Sequence, residues 1–555
     1  MTQPPAGAAT NRRNFLALMG LGAAAIGSGG LLAACSEQAG TEGGVSGGDK
    51  MAGILPSYRP LELVKPDIAG NPPVANGFLK YPSSIVDAIT DKPSSGGPTA
   101  KAMTPWWGPT PPGLGSNALL DAVNNELGLK LDFAVQDGNT YADKLSAILA
   151  AKDVPDLLCV PSWEYPKISR FTDAVKALFE DLTDYLKGDA ILKYPMLAAF
   201  ATQNWRYAAW DNRVYSVPWP TDGPFPYALF YRKDLLDKAG VALPKNAQEL
   251  YDFGKKVTDT SKGVWAFSNI FAWVQILHRV PGSEGGWKRE SNGNLVHKYE
   301  MPEFKASVEF MAKLFKDGLV HPDVVASRTD DAKTLFSGGK ILVMQDGVGA
   351  WEGMYRDQRK ITPDFNMQPM PLFAHDGGTP QMWGSDKPIF FTFIKKGLGK
   401  ERTEELLRVL NWCAAPLGTK EFELRRYGQE GRHFARGADG TPVTNDLFSK
   451  EYADQYGFLV GRVPAIIGGP DIPNFVQDLL SWSNETVKYM EKNPFAGLKI
   501  EWPANYSKVD TPTTDKINDI TRGRRPVSDL DTVVKEWRDG GGNEGRDLLG
   551  QALAG

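Results

Sequence analysis

The sequence predicts an α/β fold with more than one domain. Its 555 residues exceed the length that a single hydrophobic core usually serves. From residue 99 onward, short apolar runs alternate with segments of helical periodicity, a pattern typical of βαβ units and parallel sheets. Tryptophans follow several of these apolar runs. They therefore fall at strand ends, where open α/β sheets bind their ligands.

The first 34 residues resemble a bacterial lipoprotein export signal. Arg12 and Arg13 form a twin-Arg n-region, an apolar stretch follows at residues 16–32, and Leu-Ala-Ala precedes Cys35 as in a lipobox. A transmembrane anchor is the alternative, but five glycines interrupt the stretch and it is short for a span. We expect cleavage before Cys35, a lipid on its thiol, and a protein tethered outside the cytoplasmic membrane.

Residues 35–98, which follow the signal, are expected to form a lipidated tether and an irregular strap. Residues 36–48 are rich in Gly, Ser and Glu, which predicts a flexible tether. Residues 56–98 are rich in Pro and Gly without sustained periodicity. This second segment is predicted to form an irregular strap over the folded body.

Regular alternation of strand and helix begins after the strap. The periodicity predicts, in order, a strand at 99–107, a helix at 117–127 ended by Gly128, a strand at 129–136, a helix at 141–151 and a strand at 156–161. Trp106, Trp107 and Trp163 then stand at or just past two of the strand ends.

A strand that runs directly into a helix forms the centre of the chain. The apolar residues 227–231 predict the strand, and the helix begins near Lys233 and ends at Gly240, a residue type that tolerates positive φ. A Pro-rich loop with Trp219 and Phe225 precedes this strand.

Further elements are predicted downstream of this centre. Asn246 caps a helix, with Glu249 completing a capping box. Residues 301–317 form an amphipathic helix, and residues 388–394 form another strand.

Several motifs resemble those of the extracellular solute-binding proteins of ABC importers. They are YRKD at 231–234, GLVHPD at 318–323, FSGGKILVM at 336–344 and YGQEGRHF at 427–434. The last of these, with the turn GRRP at 523–526, is similar to the large lipoproteins of the LipO and alginate-binding type. One departure is Leu417, which stands where that group usually has Glu.

This resemblance implies a two-lobed, periplasmic-binding-protein-like fold of type II, with discontinuous lobes and a ligand cleft between them. The strands at 227–231 and 388–394 are then expected to be crossings between the lobes. The expected division is residues 99–228 with 386–436 in one lobe, and 229–385 with 437–555 in the other.

Composition excludes several other classes of protein. A net charge of −4 and a pI near 5.9 provide no basic excess for nucleic acid. Three cysteines without a CxxC pair and five scattered histidines predict no metal site and no cofactor. Residues 291–294 predict a hairpin turn rather than a calcium loop, and structural calcium stays open. Cys159 and Cys413 are predicted to be buried thiols, with a disulfide as the alternative.

Aromatic and polar residues near the predicted strand ends are the candidates for ligand binding. Sugars present hydroxyls on rings with apolar faces, so their sites combine flat aromatic platforms with a few polar groups. The candidates are Trp106, Trp107, Trp163, Trp219, Tyr227, Trp273, Trp351 and Trp383, with Glu164, Asp222, Asp346, Asp386 and Arg432 as polar partners. Core packing or a solvated surface position is the alternative for each residue alone.

The expected function is that of a monomeric, lipid-anchored receptor, not an enzyme, which delivers an oligosaccharide to the permease subunits of an ABC importer. Lobe closure about a hinge would enclose the sugar. An exported glycoside hydrolase is one alternative, because it uses similar platforms with two facing carboxylates. A peptide-binding importer receptor and an adhesion lipoprotein are the others.

Overall fold

The computed structural model describes residues 44–46, 51, 53–61, 63–168, 170–221, 223–282, 284–326, 329–384, 387–469, 471–491 and 493–554. The predicted export signal, Cys35, Asp222 and Asp386 lie outside these described residues. Among the helices of the described segments, none combines the length and apolar character that a membrane span requires.

The strands of the described residues are mostly short. They are β1 (Gly44–Ser46), β2 (Asn76–Phe78), β3 (Ala100–Trp106), β4 (Leu131–Asp137), β5 (Leu157–Pro161), β6 (Ala209–Trp210), β7 (Arg213–Val214), β8 (Ser216–Trp219), β9 (Tyr227–Arg232), β10 (Trp265–Phe267), β11 (Trp287–Arg289), β12 (Leu295–His297), β13 (Ile341–Gly347), β14 (Met367–Pro369), β15 (Met382–Trp383), β16 (Phe390–Ile394), β17 (Phe434–Arg436), β18 (Pro442–Thr444), β19 (Ala465–Ile467), β20 (Met490–Glu491) and β21 (Lys499–Glu501).

The helices alternate with these strands. They are α1 (Ala118–Leu127), α2 (Tyr141–Ala151), α3 (Phe171–Leu178), α4 (Thr183–Leu186), α5 (Pro195–Ala198), α6 (Thr202–Tyr207), α7 (Lys233–Ala239), α8 (Ala247–Val257), α9 (Phe271–Leu277), α10 (Pro302–Lys316), α11 (Thr329–Ser337), α12 (Trp351–Ile361), α13 (Lys400–Cys413), α14 (Lys420–Tyr427), α15 (Asp446–Glu451), α16 (Gln455–Leu459), α17 (Phe475–Thr486), α18 (Ala504–Thr521), α19 (Leu530–Trp537) and α20 (Asn543–Ala554).

Two sheets organise the chain. The first sheet has the order β4-β3-β5-β16-β8, in which β3 is parallel to β4 and β5 while β16 is antiparallel to β5 and β8. The second sheet has the order β10-β13-β9-β14, with β9 antiparallel to both of its neighbours. The chain therefore enters the second sheet through β9 and returns to the first through β16.

Each sheet has its own hydrophobic core. Every residue of β5 and of β16 is buried, as expected for central strands covered on both faces. One core packs around the first sheet with α1, α2 and α13, and a second packs around β9 and β13. A third apolar cluster joins α10 to the C-terminal helices α18 and α19.

Local sequence signals explain the helix boundaries. The Asn117 side chain accepts a hydrogen bond from the Leu120 N–H and caps α1, which ends at Gly128 with φ 67°. Asn246 caps α8 in the same way, through the Glu249 N–H. The strands and helices that the periodicity predicts between residues 99 and 161 are confirmed within two residues at each end.

The predicted lobe boundary at residue 436 is at odds with the packing of the next helices. Phe448, Tyr456 and Leu459 all belong to the core of the first sheet, although the sequence division assigns residues 437–555 to the second lobe. These contacts favour a boundary near residue 460.

The two internal cysteines are buried and free, which is the simpler of the two interpretations from the sequence. Burial raises the pKa of the Cys413 thiol to about 12 and also raises that of Cys159. Both thiols are therefore neutral apolar groups rather than nucleophiles.

Two buried histidines make the free energy of unfolding depend on pH. Burial lowers the pKa of His297 to about 3 and of His278 to about 4, whereas an unfolded imidazole titrates near 6.5. Between pH 6.5 and about 4 the unfolded chain binds protons that the folded chain does not, so stability falls as the pH falls. At pH 4.5 we expect each histidine to cost roughly 2–3 kcal/mol.

Urea unfolding of the native protein and of His297→Gln across this pH range measures the effect. The His297→Gln variant is expected to show a shallower fall in unfolding free energy with decreasing pH. Parallel slopes for the two proteins would contradict the prediction, whatever the difference in their absolute stabilities.

Candidate functional site

Six aromatic rings gather at the end of the first sheet where strands β3, β5 and β8 terminate. They form what we call the aromatic cluster: Trp106, Trp107, Trp163, Trp219, Phe390 and Phe458. Trp106 and Trp219 are the last residues of β3 and β8, and Trp163 comes two residues after β5. Phe390 is the first residue of the antiparallel β16 and pairs with both Pro161 and Trp219. It therefore lies at the same end of the sheet.

The rings contact one another in series. Trp219 stacks on Phe390 with centroids 4.7 Å apart and an interplanar angle of 18°. Phe390 meets Trp163 edge-on at 5.3 Å, and Trp163 lies 6.2 Å from Trp107. Phe458 contacts Trp106, Trp107, Trp219 and Phe390 at 5.2–6.2 Å. Rings packed at these distances hold each other in fixed orientations.

Two members of the cluster face solvent. Trp107 is 48% exposed and Trp163 is 42% exposed, with an angle of 43° between their planes. Trp106 and Trp219 are partly buried and pack against Phe458 and Phe390. The arrangement is an open apolar surface of two indoles that rest on a rigid aromatic floor.

Glycines make room for the indoles. A Cβ at Gly138, in the loop after β4, would lie 2.2 Å from Cε2 of Trp107. A Cβ at Gly461 would lie 1.5 Å from Cδ1 of Trp219. Both rings therefore lie directly against backbone, which only glycine permits at these two positions.

Glu164 is the polar candidate beside the cluster, and its side chain already has a partner. Glu164 is buried beside Trp163, and its carboxylate forms an ion pair with Lys167 at 3.0 Å. Arg432 is exposed in the turn after α14, where its carbonyl accepts a hydrogen bond from Asn445 Nδ2 at 2.7 Å. No described contact connects Arg432 with the aromatic cluster.

Tyr227 and Asp346 lie at one end of the two inner strands of the second sheet, β9 and β13. Tyr227 begins β9, is 43% exposed, and pairs with Gly347 at the end of β13. Asp346, one residue before, accepts the Gly347 N–H at 2.8 Å and forms an ion pair with Lys333 at 3.2 Å. These two candidates are neighbours of each other.

Three tryptophan candidates are buried, which corrects the sequence prediction for them. Trp273 and Trp351 have no exposed surface and belong to the second core, where Trp351 Nε1 donates to the Met367 carbonyl at 3.1 Å. Trp383 in β15 is 7% exposed. Trp273 and Trp351 lie in the first turns of α9 and α12, and the inward faces of these helices take the indoles into the core.

Phe390 and Phe458 are cluster members that the candidate set lacks. Phe390 begins a strand that the sequence predicts, so its place at the sheet edge could have been inferred. Phe458 lies in α16, far along the chain from the other members, and no sequence pattern indicates its neighbours.

A cavity of about 590 Å³ lies elsewhere, among the segments that connect the two sheets. Its lining includes Pro220, Thr221, Gly384, Val463 and Met490 but no member of the aromatic cluster. In the described part of the chain, no group of three or more His, Cys, Asp or Glu side chains is placed to hold a metal ion.

Comparison with known proteins gives consistent results. Residues 108–391, about half of the chain, match the family described as bacterial extracellular solute-binding protein. The polygalacturonan/rhamnogalacturonan-binding protein YtcQ of Bacillus subtilis (strain 168) is 23% identical over 483 residues, which is 81% of this chain and 90% of YtcQ. Lipoprotein LipO of the same organism is 24% identical over 242 residues, covering 40% of this chain and 45% of LipO.

The solved structures show the same fold. The crystal structure of the alginate-binding protein AlgQ2 matches with a TM-score of 0.58 and 16% identity, and the match covers 85% of this chain and 100% of AlgQ2. The prediction of a two-lobed, type II periplasmic-binding-protein-like fold is confirmed by this likeness together with the two-sheet architecture.

Proposed function

Because this chain belongs to the family of bacterial extracellular solute-binding proteins, we propose that it captures an oligosaccharide for an ABC importer. The observation that carries the carbohydrate assignment is the pair of exposed indoles, Trp107 and Trp163, on a rigid aromatic floor. Flat apolar faces of this kind complement the C–H faces of sugar rings. The relative YtcQ is a polygalacturonan/rhamnogalacturonan-binding protein, which supports a carbohydrate ligand.

The proposed binding surface combines the aromatic cluster with Tyr227 and Asp346 of the second sheet. Asp222 and Asp386, which lie outside the described residues, stay within the proposal as polar partners on the sequence evidence alone. Trp273, Trp351 and Trp383 are left out because all three are buried.

A glycan array followed by calorimetry on the purified mature protein, with product analysis of the same samples, tests this function. We expect an oligosaccharide to bind unchanged and to shift tryptophan emission, because it would cover two exposed indoles. Turnover of a bound glycan would favour the hydrolase. Binding of peptides alone would contradict the sugar assignment, and no binding of any soluble ligand would favour adhesion.

The described carboxylates favour binding over hydrolysis. A glycosidase needs two carboxylates about 5–10 Å apart that both reach the scissile bond. Glu164 beside the cluster is buried and paired with Lys167, and Asp346 is paired with Lys333. We therefore propose a receptor rather than an enzyme, with permease subunits as its partners.

Lipid anchoring through Cys35 is part of the proposal and has its own test. Cys35→Ala is expected to leave the precursor unprocessed or to release the protein from the membrane fraction, because the lipidated thiol is lost. Replacement of Arg12 and Arg13 by Lys is expected to block export if the protein uses a twin-Arg route. Unimpaired export of this variant would show that the two arginines are only an ordinary basic n-region. Normal processing and anchoring of Cys35→Ala would contradict the anchor.

Gly138 is expected to affect binding through Trp107. Gly138→Ala places a methyl group 2.2 Å from Cε2 of the indole, so the exposed ring must swing away. We expect glycan affinity to fall about three- to tenfold, the value of one stacking ring, with little loss of stability. Gly113→Ala is the matched control, since its Cβ would meet nothing within 4 Å. Equal affinities of the two variants would refute the prediction.

A further inference from the structure

Three arginines lie beside the aromatic cluster, and we call them the arginine group: Arg425, Arg426 and Arg462. Arg425 and Arg426 occupy the last turn of α14, and Arg462 follows α16. The chain neighbour of Arg462 touches the cluster directly. Gly461, adjacent to Arg462, lies against the Trp219 ring.

A second contact connects the arginine group to the cluster. Arg426 Nη1 donates to the Tyr452 hydroxyl at 2.5 Å, and the Tyr452 ring meets Trp106 edge-on at 6.5 Å. The group is thus in contact with the cluster at both ends, through Tyr452 and through Gly461. The arginine group therefore borders the partly buried members of the cluster, Trp106 and Trp219.

The positive charge of the group is only partly compensated. Asp454 is the nearest described carboxylate, and its Oδ1 lies 4.0 Å from Arg425 Nη1. The other acids nearby have partners of their own: Glu423 and Glu430 bind Arg436, Glu421 accepts the N–H groups of Ala88 and Ile89, and Glu451 binds His433 and the Leu119 N–H. Among the described residues, Arg425 is the one member of the group with a carboxylate within 4.0 Å.

The guanidinium groups also keep unused hydrogen-bond donors. The Arg425 side chain is 4% exposed, and the Nε atoms of Arg425 and Arg462 are buried without a partner among the described residues. A buried donor without a partner is costly, and burial separately lowers the pKa of Arg425 because it removes water from the guanidinium charge. Such a cost is expected where a ligand completes the hydrogen bonding.

Part of the arginine group is accessible to a ligand. Arg426 is exposed and Arg462 is half-buried, whereas Arg425 is buried. Direct contact with a ligand therefore falls to Arg426 and Arg462, and Arg425 lies behind them.

We propose that the arginine group binds the carboxylates of an acidic oligosaccharide whose sugar rings stack on the aromatic cluster. The inference rests on the proposed sugar-binding function and names its substrate class. A guanidinium fork matches a carboxylate with two parallel hydrogen bonds, and an acidic sugar supplies the missing negative charge. Asp454 then orients Arg425 rather than neutralising the whole group.

Structural packing is the alternative role for these arginines. Arg425 and Arg462 both lie over the Phe422 ring, at 5.9 and 5.4 Å from its centroid. Stacking on one phenylalanine explains their orientation, but it supplies neither an anion nor a hydrogen-bond acceptor. Packing alone therefore leaves the excess charge beside the aromatic surface unexplained.

The test compares ligands that differ only in charge. Uronate oligosaccharides and the methyl ester of each are titrated into the full mature protein by calorimetry. We expect the acid to bind at least about tenfold more tightly than its ester, and the difference to shrink when salt is raised from about 20 to about 300 mM. Equal affinity for acid and ester would overturn the inference and leave the sugar receptor intact.

Other outcomes of the same panel separate the remaining possibilities. Sulfated oligosaccharides are included, and a preference for them over uronates would overturn the carboxylate assignment. Binding of no glycan at all would overturn the proposed function together with this inference.

Two exposed or half-buried arginines serve for substitution, because Arg425 is buried and its loss endangers folding. Arg426→Met and Arg462→Met are each expected to reduce the preference for acid over ester about fivefold or more, with affinity for the ester unchanged. Arg170→Met is the control, since Arg170 is exposed and pairs with Asp173 on the same lobe. Equal losses for acid and ester would show a merely structural role and refute the inference.

Discussion

Replacement of both Trp107 and Trp163 by Ala is expected to weaken oligosaccharide binding by about 5- to 150-fold. Each ring is expected to contribute about 0.5–1.5 kcal/mol of stacking energy, and each 1.4 kcal/mol is a factor of ten in affinity. The two indoles are 48% and 42% exposed, so their removal leaves no large cavity in the core. Binding should therefore fall while the free energy of unfolding changes little.

Calorimetry with the tightest glycan and urea unfolding of the same variant measure both quantities. Trp502→Ala is the control, because Trp502 stacks on Tyr506 in the C-terminal cluster, outside the proposed surface. It should lose stability and keep its affinity. An unchanged affinity of the Trp107 and Trp163 double variant would remove the basis of the carbohydrate assignment.

Much of the first sheet could be predicted because its signals are local. Asn117 and Gly128 fix both ends of α1, and the continuous apolar runs of β5 and β16 identify strands that are buried on both faces. Capping and periodicity act within a few residues, so a single sequence is enough to detect them. The lobe boundary after residue 436 depends on contacts between distant segments, and there the sequence division differs from the packing of α15 and α16.

The candidate site shows the same difference between local signals and contacts of distant segments. Trp106, Trp163 and Trp219 join one cluster, through Phe390 and Phe458, because the strands before them end on the same side of the sheet, a consequence of parallel topology. Trp351 also follows a strand, but it enters the first turn of α12 with its indole toward the core. The side of the helix on which the residue lies decides whether its indole is exposed as a platform or buried in the core. For a tryptophan at the first position of a helix, the sequence alone does not reveal that side.

Phe458, Tyr452 and the arginine group show a second limit of prediction. They reach the cluster from α14 to α16, more than two hundred residues after the strands that carry the tryptophans. Only tertiary packing of these helices onto the first sheet brings them there. The sequence therefore indicates the aromatic half of the proposed site, whereas the charged half depends on the three-dimensional structure.

Loss of Arg232 is expected to destabilise the protein by about 3–5 kcal/mol, the cost of breaking a buried ion pair. Arg232 is 4% exposed, and its Nε and Nη2 donate to the two carboxylate oxygens of Asp234 at 2.9 and 2.8 Å. Its Nη1 donates to the carbonyls of Phe336 and Ser337, both at 2.9 Å. Arg232 thus connects the YRKD and FSGGK motifs and joins β9 to the turn before β13.

Urea unfolding of Arg232→Met measures this loss, because the variant keeps a long apolar side chain but leaves the Asp234 carboxylate buried and unpaired. Arg279→Met is the matched control: Arg279 forms the same fork with Asp376, but the two side chains are 28% and 49% exposed, so about 0–1 kcal/mol is expected. The double variant Arg232→Met/Asp234→Leu should regain part of the loss, since it removes both charges. Similar effects of Arg232→Met and Arg279→Met would show that burial adds nothing to the strength of this connection between the two motifs.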